Sequence, residues 1–160
     1  MRYELVDGML MVTPIPLPIH QTAVVQLSVR LDGACPEDSE VFPGPLDFRP
    51  TARRSLQPDV LVCRVKDIGP TAIERPLLLA VEVLSPATRS KDLVLKRGLY
   101  EEAGVTSYWM FDPDAEVLTV LELEGGRYVE RAVVKGDDAF DAELPFRVRI
   151  VPGELVRRRH

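Results

Sequence analysis

The stretch Leu77-Leu78-Leu79-Ala80-Val81-Glu82-Val83-Leu84 is apolar apart from one glutamate, with Pro76 before it and Ser85-Pro86 after it. A run of this length and composition reads as a strand buried on both faces. It commits the chain to a sheet with helices packed on it. Glu82 interrupts the run near its C-terminal end. A buried carboxylate is costly unless it is paired, hydrogen-bonded or bound to a metal. The fold must therefore compensate Glu82, and its partners point towards function.

The 160 residues suggest one domain, 1–160, with a core at about residues 3–134 and a C-terminal remainder of weak signals. A chain of this size buries a core without disulfide staples. Cys35 and Cys63 lack CxxC spacing. Cys63 continues the apolar strand Val60-Leu61-Val62 and reads as a buried reduced thiol, which argues against a zinc site or redox pair. No apolar run approaches the roughly 20 residues of a membrane span. Met1-Arg2-Tyr3-Glu4 has none of the apolar character of a signal peptide, so a cytoplasmic location is expected.

The net charge of −5 is concentrated towards the two ends, whereas residues 51–110 carry a small basic excess. This balance excludes a protein that coats nucleic acid by bulk charge, but suits phosphate contacts at one site.

Asp7-Gly8 between two apolar runs predicts a hairpin over Tyr3 to Val12. The periodicity predicts a helix from Ile19 to about Asp32, closed by Gly33, with His20, Val24, Leu27 and Leu31 on one face. Gly44 to Leu56 reads as loop or irregular strand, Pro58 to Arg64 as strand, and Lys66 to Arg75 as polar loop. A helix follows from about Lys91 to Ala103, closed by Gly104, then a strand Ser107 to Phe111. Glu116 to Leu123 and Arg127 to Val134 form a hairpin through Gly125-Gly126. This order describes an α/β or α+β fold. Arg157-Arg158-Arg159-His160 reads as a solvated tail.

The second helix carries the second anomaly. Stepping about 100° per residue, Leu95, Leu99, Tyr100 and Ala103 cluster on one arc. Asp92 and Lys96 fall inside that arc, whereas Arg97, Glu101 and Glu102 point elsewhere. An acid and a base thus face the sheet close to Glu82. Asp59, after Pro58, begins another strand and can project at its end. Two carboxylates on separate strands with a lysine on a helix are the ingredients of a Mg²⁺ site.

The segments Gln57-Pro58-Asp59-Val60, Ala80-Val81-Glu82-Val83-Leu84-Ser85-Pro86-Ala87-Thr88, Asp92, Lys96, Tyr100, Gly104-Val105 and Tyr108-Trp109 with Asp112-Pro113 together resemble the Uma2 family. Val6-Asp7-Gly8 and His20-Gln21 also resemble that family's opening. The likeness is collinear from about Tyr3 to Asp114. It implies a restriction-endonuclease-like fold of the PD-(D/E)XK nuclease superfamily: a mixed central sheet flanked by helices, here with N- and C-terminal β-hairpins. It further implies Mg²⁺ (or Mn²⁺) held by Asp59, Glu82 and the carbonyl of Val83, with DNA as the partner and a homodimer by superfamily habit. The pattern's lysine belongs two residues after the glutamate, where this chain has Leu84. Lys96 is the natural replacement, with Asp92 positioning it.

Blander readings stand beside these. Asp59 alone reads as a strand-start cap, and Asp92 as a carboxylate favoured by its helix dipole or an i,i+4 partner of Lys96. Glu82 and Lys96 can form a structural ion pair, although such pairs are often not net stabilising. His20 reads as a core histidine or as a supporting group near the metal. Tyr100, Tyr108 and Trp109 read as core or interface aromatics, with Tyr100 a candidate supporting residue. Arg53-Arg54 and Arg89-Lys91 read as solvated charges or phosphate contacts. The rival functions are a catalytically silent interaction module and a purely structural ion-pair core.

Overall fold

The computed structural model describes residues 1–86 and 91–157, apart from the side chains of Lys91 and Asp92. Strands β1 (Arg2–Val6) and β2 (Met9–Thr13) form the expected hairpin. Asp7 and Gly8 both adopt positive φ, 49° and 88°, which matches the twist of a two-residue turn. Helix α1 (Pro18–Ala34) follows. It runs past Gly33 and ends at Cys35, whose extended backbone is what the following Pro36 imposes. The predicted glycine stop is thus a proline stop.

Strand β3 (Ser39–Pro43) had no clear sequence signal. Gly44 to Leu56 contains two short strands, β4 (Asp47–Thr51) and β5 (Arg54–Leu56), which build onto the N-terminal hairpin. Then come β6 (Val60–Arg64), β7 (Ala72–Ile73) inside the expected polar loop, and β8 (Leu79–Val83). Helix α2 (Lys91–Glu102) ends where Gly104 takes φ 72° and Val105 N–H returns to the Tyr100 carbonyl. Strand β9 (Ser107–Asp112) and the hairpin β10 (Val117–Glu124) and β11 (Arg127–Lys135) complete the expected elements.

The central sheet has the order β11-β10-β9-β8-β6-β3. Its one parallel pair, β8 with β9, is joined through α2. A second sheet has the order β2-β1-β5-β4-β7. Every residue of β8 is buried, as the apolar run demands. Alternation divides the central sheet between two cores. Val60, Val62, Leu79, Val81 and Val83 pack with Ala23, Leu27 and Leu31 of α1. Leu61, Cys63 and Ala80 pack with Leu99 and Tyr100 of α2 and with Val6, Phe48 and Leu56 of the second sheet. Glu82 has the parity of Ala80 and therefore faces the second core.

The core extends beyond residue 134. Strands β12 (Phe140–Ala142) and β13 (Val148–Ile150) bring Ala142 and Ile150, and a terminal 3-10 turn brings Leu155, onto the α1 side. Strands this short leave too few residues for a period to register. Arg158 to His160 lie outside the described residues. Among the described residues no helix is long and apolar enough to cross a membrane.

Candidate functional site

Strands β6 and β8 run antiparallel with Val60 opposite Val81 and Leu61 opposite Ala80. One step further, this register sets Asp59 across from Glu82 at the strand ends. The Asp59 backbone is fixed on both sides, its N–H donating to the Val81 carbonyl at 3.0 Å and its carbonyl accepting the Gly44 N–H at 2.8 Å. Glycine is required there, because a Cβ at position 44 would stand 2.8 Å from the Pro58 carbonyl oxygen.

Each carboxylate has one oxygen pinned by fixed donors. Asp59 Oδ2 accepts the Val83 N–H at 2.7 Å. Glu82 Oε1 accepts Tyr100 O–H at 2.8 Å and Lys96 Nζ at 3.2 Å. The other two oxygens, Asp59 Oδ1 and Glu82 Oε2, converge on one cationic atom. Arg2 Nη1 lies 3.4 Å from the first and 2.9 Å from the second. His20 Nε2 also approaches Asp59 Oδ1, at 3.4 Å.

A third carboxylate completes the cluster. Glu4, 1% exposed, accepts Lys96 Nζ at 2.5 Å and the Gln57 N–H at 2.8 Å through Oε2. Its Oε1 lies 3.4 Å from Arg2 Nε. A cavity of about 20 Å³ borders Arg2, Glu4, Glu82 and Lys96, room for a single water. On the other side of Asp59 an open cleft of about 520 Å³ is lined by Arg2, His20, Asp59 and Val83 among apolar residues such as Ile15 and Leu17.

The family model for Uma2, described as "Putative restriction endonuclease", matches residues 1–151. The chain belongs to the Uma2 family. A crystal structure from Anabaena variabilis, described as "a putative nuclease belonging to DUF820", shares its fold at a TM-score of 0.74 and 16% identity. The alignment covers 88% of this chain and 80% of that one. None of the curated proteins matches.

In this Uma2 chain the structure brings Asp59, Glu82, Val83, Lys96, Tyr100 and His20 together. Lys96 is 3% exposed, as its place on the inner arc of α2 requires. Asp92 opens α2, but its side chain lies outside the described residues, as does Arg89. Tyr100 is both core and site: its ring is fully buried and tilted against Tyr108 at 5.0 Å, while its hydroxyl holds Glu82. His20 contacts Asp59 rather than sitting as a hydrogen-bonded core residue. Tyr108 and Trp109 are buried core. Arg54 is a surface charge that pairs with the exposed Asp7 and Glu102.

Arg2 and Glu4 are the site residues that the sequence does not announce. The available signal is the parity of β1, where Arg2, Glu4 and buried Val6 share one side and exposed Tyr3 takes the other.

Burial pushes the Glu82 carboxyl up, but Lys96, Arg2 and the Tyr100 and Arg2 hydrogen bonds outweigh it and hold it well below the usual range. Tyr100 is pushed well up, by burial first and then by Glu82 and Glu4, so it stays a neutral donor. The Glu82 sign gives a pH prediction. A depressed folded pKa contributes stability that is complete above the unfolded value, about 4.3, and is lost as pH falls through the folded value. Melting temperature should therefore fall below about pH 5, with a shallower acid slope in Glu82→Gln. Identical slopes in thermal melts of the two proteins would remove Glu82 as the cause.

Among the described residues no group of three or more His, Cys, Asp or Glu side chains is disposed to hold a metal. The two converging carboxylate oxygens are a smaller donor set, of the kind Mg²⁺ takes together with water and substrate phosphate.

Proposed function

We propose that this Uma2 protein is a metal-dependent nuclease that hydrolyses phosphodiester bonds of DNA, with Mg²⁺ or Mn²⁺ held by Asp59, Glu82 and the Val83 carbonyl. The observation that carries this reading is the convergence of Asp59 Oδ1 and Glu82 Oε2 on a single cationic atom at the edge of an open cleft. A bound divalent ion supplies Lewis-acid polarisation of the phosphate and acidifies a water.

The protein's own residues do the rest. The Val83 N–H and Tyr100 O–H fix the two carboxylates before substrate arrives, so the carboxylates themselves need not reorient on binding. Lys96 Nζ stands 3.2 Å from Glu82 Oε1, where it would offset charge developing on phosphate. Glu4 positions Lys96, and Asp92, four residues before it on α2, is proposed to share that task. His20 supports Asp59 from the cleft side.

A nuclease-fold interaction module is the second reading. It is favoured by Leu84 at the usual lysine position and by the depth at which Glu4 and Glu82 hold Lys96. Incubation of the protein with plasmid and single-stranded DNA, with Mg²⁺, Mn²⁺ or EDTA, separates the two. The nuclease reading expects cleavage that needs the metal. Intact plasmid and single strands under every condition would leave the interaction module.

A further inference from the structure

We propose that Arg2 is a tethered counter-cation that occupies the cation position between Asp59 and Glu82, and that a divalent ion loads only by displacing it. This inference rests on the reading of Asp59 and Glu82 as metal ligands and adds how that site is regulated.

The Arg2 guanidinium holds Glu82 Oε2 and shares Asp59 Oδ1 with His20 Nε2, the two carboxylate oxygens that Val83, Tyr100 and Lys96 leave unpinned. Nη1 donates to Glu82 Oε2 at 2.9 Å and to Asp59 Oδ1 at 3.4 Å, and also to the Gln57 carbonyl at 3.2 Å. Nε lies 3.4 Å from Glu4 Oε1. The group stays charged: burial alone would lower its pKa, but Glu82, Asp59 and Glu4 overcome that and raise it. A guanidinium that cannot lose its proton must move to make way for another cation.

The geometry gives it a way out. Arg2 is the first residue of β1, its side chain is 18% exposed, and it borders the 520 Å³ cleft. The carboxylates remain pinned by Val83, Tyr100 and Lys96 when Arg2 leaves. Their second oxygens then become available without rebuilding the site. In the metal-free protein Arg2 offsets three clustered carboxylates that Lys96 alone would leave undercompensated. The device keeps the empty site folded and sets how readily it fills.

Calorimetric titration of Mg²⁺ into wild type, Arg2→Gln and Asp59→Asn, without DNA, tests this. Removal of a charge-assisted competitor should tighten Mg²⁺ binding by about tenfold or more in Arg2→Gln. Arginine side-chain NMR of wild type gives a second readout that needs no Arg2 variant. The Arg2 Nε–H resonance should shift on Mg²⁺ addition, and Asp59→Asn should suppress that shift. Equal or weaker Mg²⁺ binding in Arg2→Gln with an unmoved Arg2 resonance, while wild type binds and Asp59→Asn does not, overturns the displacement and leaves the metal site standing. Absence of Mg²⁺ binding in both wild type and Arg2→Gln overturns the displacement and the metal reading together.

Discussion

Lys96→Ala is expected to lower the unfolding free energy by about 3–5 kcal/mol, because it strands buried charge. Lys96 Nζ stands between Glu4 at 2.5 Å and Glu82 at 3.2 Å, and all three side chains are nearly inaccessible to water. Arg2 alone then faces both carboxylates. The loss should shrink as pH falls. Glu82 is held acidic chiefly by Lys96 against the opposing effect of burial, so without Lys96 it takes up a proton more readily. The double variant Lys96→Met/Glu4→Gln should recover most of the stability. It removes the pair together, and the glutamine oxygen can still accept the Gln57 N–H that Glu4 accepts. Urea unfolding of the three proteins at two pH values measures this. A Lys96→Ala midpoint close to that of wild type would mean that the lysine is not held between these carboxylates. The double variant also separates stability from chemistry: it should fold, and on the proposed mechanism it should cleave poorly.

The sequence makes the centre of the molecule legible because burial there leaves a plain mark. A charge inside an eight-residue apolar run cannot be surface, and a lysine on the apolar arc of a helix cannot be solvated. Glu82 and Lys96 therefore announce themselves, and the structure places them 3.2 Å apart. Asp59 is legible through its position before a buried strand, although its pairing with Glu82 depends on a register that no local pattern specifies. Arg2 and Glu4 are hidden for the opposite reason. In a hairpin of mixed exposure parity groups Arg2 and Glu4 with Val6, but Tyr3 and Leu5 look as apolar as Val6, so that signal alone leaves open which side is inward. What decides it is the docking of β1 against β5 over α2, a contact between segments some fifty residues apart. The short strands β3, β5, β7, β12 and β13 are concealed likewise, because sheet neighbours define them more than their own residues do.

On the proposed mechanism, Asp59→Asn is expected to fold normally and to lose metal-supported DNA cleavage by at least about 100-fold. Changes to residues that merely orient a metal ligand already cost about 10–100-fold, so loss of a ligand's charge should cost more. The asparagine keeps the shape of the side chain and an oxygen for the Val83 N–H, the 2.7 Å bond that pins the carboxylate. It discards the negative charge that Arg2 Nη1 faces at 3.4 Å. Asp59 is also the more accessible of the two carboxylates, so its neutralisation disturbs the core less than that of Glu82. A parallel comparison of cleavage rate and melting temperature reads both consequences. An Asp59→Asn protein that cleaves at the wild-type rate with Mg²⁺ would move the chemistry away from this pair and make the converging carboxylates a structural anchor for Arg2. A folded, metal-blind and inactive protein would instead tie cleavage to the place where Asp59 Oδ1 and Glu82 Oε2 converge on a single cation at the cleft edge.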